Sequence, residues 1–170
     1  MNNPNQLLLP ANPLFVWGSL ALALCVNVLP TGRSLLMPDL LALVVVFWNI
    51  HQPRRVGVVV AFVCGLLMDV HQGALLGQHA LAYTLLGYLS ISLHRRLLWF
   101  SLWGQMAHIL PLFLGAQALS AFIRLLAGGM LPDPGLVLAP VVQTALWPVA
   151  TFLLLAPQRR SPDPDKHRPL

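Results

Sequence analysis

The chain has 170 residues, of which 57% are hydrophobic and 9% charged, and its formal net charge is +5. Soluble domains carry about 25% charged residues; this chain has no glutamate and a single lysine, Lys166, and cannot clothe a water-facing surface. Its arginines stand in short pairs between apolar runs, a layout that sets membrane orientation and argues against nucleic acid as a partner.

Six apolar segments follow one another and predict an all-α membrane protein with six transmembrane helices, at about 14–29, 35–50, 56–70, 74–93, 104–126 and 136–156. Residues 1–157 form the membrane domain, and the Pro-rich, charged tail 158–170 is predicted to be disordered and cytoplasmic. The first segment lies between Pro13 and Pro30. No Lys or Arg precedes it, and Val28-Leu29-Pro30 is not a small-x-small cleavage site, so a cleaved signal peptide is not expected. The second and third segments are short against the roughly 20 residues a span needs. Joining them as a re-entrant hairpin would bury Arg54 and Arg55, at about 2.5–3.5 kcal/mol each. Two short spans are therefore expected, with the bilayer thinning or flanking polar residues recruited.

The fifth segment is too long. Leu97 to Trp103 reads as an interfacial start, with Trp99, Phe100 and Trp103 at headgroup level. Pro111 lies inside the span and predicts a kink, because it lacks a backbone donor and crowds the carbonyl four residues back. With six spans, Arg54, Arg55, Arg95, Arg96, Arg159, Arg160, Lys166 and Arg168 fall on one side and Arg33 and Arg124 on the other. The positive-inside rule then puts both termini in the cytoplasm of a multi-pass protein. The basic pairs serve topology first; Arg54/Arg55 and Arg95/Arg96 are also candidates for anionic lipid or a cytoplasmic partner.

Three charged residues intrude on the spans at similar depth, near the outer edge: Asp39, Asp69 and Arg124. Intramembrane charges default to a functional or pairing role. Either each snorkels to headgroups or water, or the three form a cluster at the rim of an outer pocket. Gly57, Ala61 and Gly65 recur every four residues in the third span, with Asp69 next in the row. Small residues at that spacing let helices approach closely, as an internal packing seam or as a partner face. Gly73 reads as a loop residue. Asn27, Gln78, Thr84, Gln105, Gln117 and Gln143 are polar residues inside spans and predict interhelical hydrogen bonds.

No metal site is expected: His51, His71, His79, His94 and His108 lack the spacing for three or four converging ligands. Cys25 and Cys64 lie in apolar runs and read as buried free thiols. No paired carboxylates, Ser/His set or Walker-type lysine accompanies them, so no catalytic residue and no cofactor are assigned.

Pro38-Asp39-Leu40-Leu41, Phe47-Trp48 and Pro53-Arg54-Arg55-Val56-Gly57 resemble the second and third spans of the MreD family of rod shape-determining proteins. The run Gly65-Leu66-Leu67-Met68-Asp69-Val70, then Gly73-Ala74-Leu75-Leu76-Gly77-Gln78-His79-Ala80-Leu81-Ala82-Tyr83, is the most specific part of the likeness, and His94-Arg95-Arg96 also fits. The resemblance implies a bacterial inner-membrane protein without enzymatic activity, working in peptidoglycan elongation. Its implied partners are MreC above all, then MreB, RodA and a class B penicillin-binding protein. It also implies a six-span fold similar to the substrate-binding subunit of energy-coupling-factor vitamin transporters. A vitamin-binding transporter subunit is the competing function, with Asp39, Asp69 and Arg124 at the rim of its pocket.

Overall fold

The computed structural model describes residues 12–29, 38–128 and 137–158. Every regular element among them is helical: α1 (Pro13–Val28), α2 (Leu40–His51), α3 (Gly57–Gln72), α4 (Gln78–Trp99), α5 (Leu102–Leu126), α6 (Leu138–Ala145) and α7 (Trp147–Leu155), closed by a 3₁₀ turn at Ala156–Gln158. Leu102–Leu126 and Leu138–Gln158 are long and apolar enough to cross a membrane, and α1, α2 and α3 are shorter apolar helices. Arg33 and the basic residues of the tail, with the disorder expected there, lie outside the described residues. Gln158 itself is buried and donates to the Leu154 carbonyl at 3.4 Å, so the packed region reaches one residue beyond the expected boundary.

Local chemistry starts and stops these helices. Asn12 caps α1 by accepting from Leu14 N at 3.1 Å, and Pro13 opens the first turn, where a missing N–H costs nothing. Val16, Leu20, Ala23 and Asn27 repeat at helical spacing, and the first three are the buried stripe of α1, which packs on α2.

The second helix is different in kind. Leu41, Ala42, Leu43 and every residue from Val45 to Ile50 are buried, so α2 is apolar all round and walled in by protein. Its neighbours are α1, α3, α4 and α7. At about 1.5 Å per residue its 12 residues rise roughly 18 Å, well short of a hydrocarbon core of about 30 Å. The expected thinning of the bilayer is therefore not required at α2. A helix surrounded by protein need not match lipid thickness. Around it, Phe47 meets Trp48 edge-on at 5.1 Å, Trp147 at 5.8 Å, and stacks on His51 at 4.1 Å.

Several boundaries differ from the sequence expectation. Helix α4 begins at Gln78 rather than 74 and continues through Arg95 and Arg96 to Trp99. The expected interfacial start of the fifth segment is thus the last turn of α4, a bend at Phe100–Ser101 and the first turn of α5. Pro111 sits on the exposed side of α5, and the helix runs unbroken through it from Leu102 to Leu126. A break between helices falls at Leu146, between α6 and α7. Pro148 is the second residue of α7, and its ring crowds the carbonyl four residues back, which resets the helix there.

The outward faces are strongly apolar. Leu14, Val59, Val70, Leu76, Leu126, Phe152 and Leu153 are each at least 60% exposed. So many exposed large apolar side chains in a chain this poor in charge suit a surface that faces lipid. Cys25 belongs to this surface: it is exposed on α1, not buried as expected.

Candidate functional site

Two carboxylates organise one end of the bundle. Asp69 is fully buried near the C-terminus of α3. After Gln72 the chain leaves the helix through Gly73, at φ +59°, and re-enters through Gly77, at φ +103°; both are left-handed conformations that glycine adopts without strain. The first N–H groups of α4 have no partner within their own helix. Asp69 supplies one. Its Oδ2 accepts from Gly77 N at 2.8 Å and Ala80 N at 3.2 Å, and its Oδ1 accepts from His79 N at 2.7 Å. His79 Nδ1 lies 2.9 Å from the same Oδ1. An anion at a helix N-terminus is also favoured by the helix dipole.

This arrangement needs the two helices to touch. A Cβ on Gly65 would stand 2.5 Å from the His79 carbonyl oxygen and 2.6 Å from Ala80 Cα. Only glycine lets the first turn of α4 lie on α3 there. One turn earlier, Ala61 is fully buried and faces Gly87 of α4. Ala61 and Gly65 thus lie in the seam between α3 and α4 and are not available as a partner face. Gly57 does not belong to that row: it starts α3 at φ +66° with open space around it.

Asp39 works over longer distances. Preceded by half-buried Pro38, it caps α2, with Oδ1 accepting from Ala42 N at 2.9 Å. The same oxygen accepts from Asn27 Nδ2 of α1 at 2.7 Å, and Oδ2 accepts from the Tyr83 hydroxyl of α4 at 2.5 Å. Asn27 Oδ1 returns the bond by accepting from Leu40 N at 3.2 Å, and Gln143 Nε2 of α6 donates to the Asp39 carbonyl at 2.8 Å. Four helices meet at this one residue. His79 and Tyr83, one turn apart on α4, tie that helix to both aspartates.

Arg124 takes no part. It is exposed on α5, and among the described residues no ion pair joins it to Asp39 or Asp69. The three-residue charge cluster therefore does not form: the carboxylates are already taken up by backbone N–H groups and by the side chains of His79, Asn27 and Tyr83. None of the three lines the cleft between α1 and α3 or the one at the end of α4.

Of the polar residues expected to bridge helices, Asn27, Gln143 and Gln105 do so; Gln105 Oε1 accepts from Trp147 Nε1 at 3.0 Å. Thr84 bonds back to Ala80 of its own helix instead. Gln78 is buried with its Nε2 unpaired, and Asn49, not singled out from the sequence, is fully buried with neither side-chain atom hydrogen-bonded among the described residues. Tyr83 was legible only as the end of the motif run. Its place one turn beyond His79 was the available signal.

The glycines, Asp69 and His79 explain physically why the run from 65 to 83 is so specific: it encodes a close-packed, carboxylate-capped helical hairpin. A family model described as rod shape-determining protein MreD matches residues 10–156. The chain belongs to the MreD family. Rod shape determination is thereby its cellular role, and the apolar helices and outward faces agree with a membrane protein. Members of the family are shape-determining proteins rather than a known class of enzymes. No solved structure matches the chain, so the likeness to vitamin-transporter subunits gains no support.

Proposed function

We propose that the protein is a non-catalytic, six-span scaffold of the bacterial inner membrane that regulates the peptidoglycan elongation complex and maintains rod shape with MreC. The observation that carries this reading is family membership over residues 10–156. The site chemistry agrees with it. Both aspartates serve as helix caps and interhelical ties, so they stiffen a hub rather than present a reactive group. The six spans are α1 to α5 and the broken pair α6–α7. The count of eight basic residues against two supports a topology with both termini in the cytoplasm. MreB, RodA and a class B penicillin-binding protein complete the assembly.

The contact face for MreC has to be one that the fold leaves open. Ala61 and Gly65 are enclosed by α4, whereas Val59 and Val63 are exposed on α3. Photocrosslinkers at Val59 and Val63, and at Phe152 on the exposed side of α7 for comparison, in rod-shaped cells expressing MreC, test the idea. MreC adducts are expected from the two α3 positions and not from Phe152, and depletion of the protein is expected to round the cells. Rods that persist after depletion, with no adduct from α3 or from the outer faces of α1 and α5, would sink the scaffold reading.

A further inference from the structure

The end of α4 carries a feature that the shape-determining role does not use. Arg95, Arg96, Trp99 and Phe100 line an open cleft of about 350 Å³, walled almost entirely by apolar atoms. Ring faces and the aliphatic stems of the arginines supply that wall. Phe100 is held in place, since its ring stacks on His108 at 4.7 Å and its carbonyl accepts from Gln105 Nε2 at 3.2 Å. Trp99 is 92% exposed and Trp103 80% exposed.

The two guanidinium groups have no counter-ion among the described residues. Arg95 and Arg96 are exposed, and the single ion pair found there is Asp69 with His79. Asp39 and Asp69 are tied into the capping networks. The tail is a poor source of counter-charge: against Asp163 and Asp165 it carries Arg159, Arg160, Lys166 and Arg168. The carbonyls ending α4 present about half a negative charge, which offsets only a fraction of two full positive ones.

We infer that this cleft binds an anionic phospholipid. Guanidinium forks match phosphate oxygens in pairs, and tryptophan rings sit at the depth of the glycerol and headgroup. The volume is at the low end for a small-molecule site and suits the glycerol backbone and first acyl carbons of a lipid against the apolar wall, with the phosphate at the rim beside the guanidinium groups. An acidic peptide or free phosphate would meet the arginines but leave the apolar wall and the two tryptophans uncovered. The inference rests on membrane location and not on the scaffold reading.

The test uses the full chain reconstituted in dioleoylphosphatidylcholine vesicles doped with phosphatidylglycerol or phosphatidylcholine brominated close to the glycerol. The signal is the part of the tryptophan emission that Trp99→Phe removes. Brominated phosphatidylglycerol is expected to quench it at lower mole fraction than brominated phosphatidylcholine, by about fivefold per arginine. Arg95→Gln/Arg96→Gln brings the two curves together, Arg95→Lys/Arg96→Lys keeps most of the preference, and Arg54→Gln/Arg55→Gln leaves it intact. Equal quenching by the two lipids in the wild-type protein overturns the inference. So does a preference that survives Arg95→Gln/Arg96→Gln. Displacement by polyglutamate without any lipid preference would instead give the pair to an acidic protein.

Discussion

Asp69 and Asp39 both cap the start of a helix, Asp69 from the last turns of the helix before it, but the donors they collect come from very different distances along the chain. The N–H donors of Asp69 lie 8, 10 and 11 residues away, all in the turn and first residues of α4. The side-chain donors of Asp39 lie 12 and 44 residues away, and the donor to its carbonyl lies 104 away. The first network can form within one helical hairpin. The second exists only when α1, α2, α4 and α6 are already assembled. Damage to one should open a turn; damage to the other should loosen the whole bundle.

The largest effect is expected where the hairpin has no room to adjust. Gly65→Val places a carbon against the backbone of His79 and Ala80. Backbone cannot rotate away as a side chain can, so the effect should exceed the usual overpacking penalty of about 1–3 kcal/mol. Loss of folded protein from membranes, read by detergent extraction and gel filtration, checks this. Asp69→Ala comes next. It strands three backbone N–H groups and His79, and buried unsatisfied groups cost about 1–3 kcal/mol each without adding fully. A total near 3 kcal/mol is expected in SDS titration, together with new protease sensitivity between 73 and 77.

Asp39→Ala should cost about 2 kcal/mol, within the range for loss of a helix cap, and should leave the turn at 73–77 protected. If Asp39→Ala opened that turn as readily as Asp69→Ala, the separation into local and long-range networks would be wrong. Tyr83→Phe removes one donor from Asp39 and should cost about 1 kcal/mol. Its effect should shrink when Asn27→Ala or Asp39→Ala is already present, because residues in one network couple.

Much of this architecture was legible in the sequence. Pro13, Gly73 and the apolar runs mark where helices start and stop, and the four-residue row through Ala61, Gly65 and Asp69 marks the α3–α4 seam. What stayed hidden has a common physical cause. Hydropathy cannot separate a helix wrapped in lipid from one wrapped in protein, because lipid tails are as apolar as leucine; so the second apolar run does not reveal that α2 is enclosed by its neighbours. The expected grouping of Arg124 with the aspartates failed for a related reason. Similar depth places charges in one layer but says nothing of adjacency within it, and the aspartates find their donors in backbone N–H groups that every helix start supplies.

Asn49 gives the smallest expected effect and the most informative sign. Its amide is fully buried on α2, unpaired among the described residues, and its Nδ2 would lie 3.3 Å from a Cβ built on Gly87. An isolated buried amide is a liability that a leucine of nearly the same shape removes. Asn49→Leu should therefore leave the SDS midpoint unchanged or raise it by about 1 kcal/mol, with the slightly larger methyls that replace the amide oxygen and nitrogen limiting the gain at so tight a contact. A loss of more than about 1 kcal/mol would mean that Asn49 is satisfied in the membrane by a group outside these helices. The α2 core would then be an unfinished site, and the distinction between tied and untied polar residues would have to be redrawn around it.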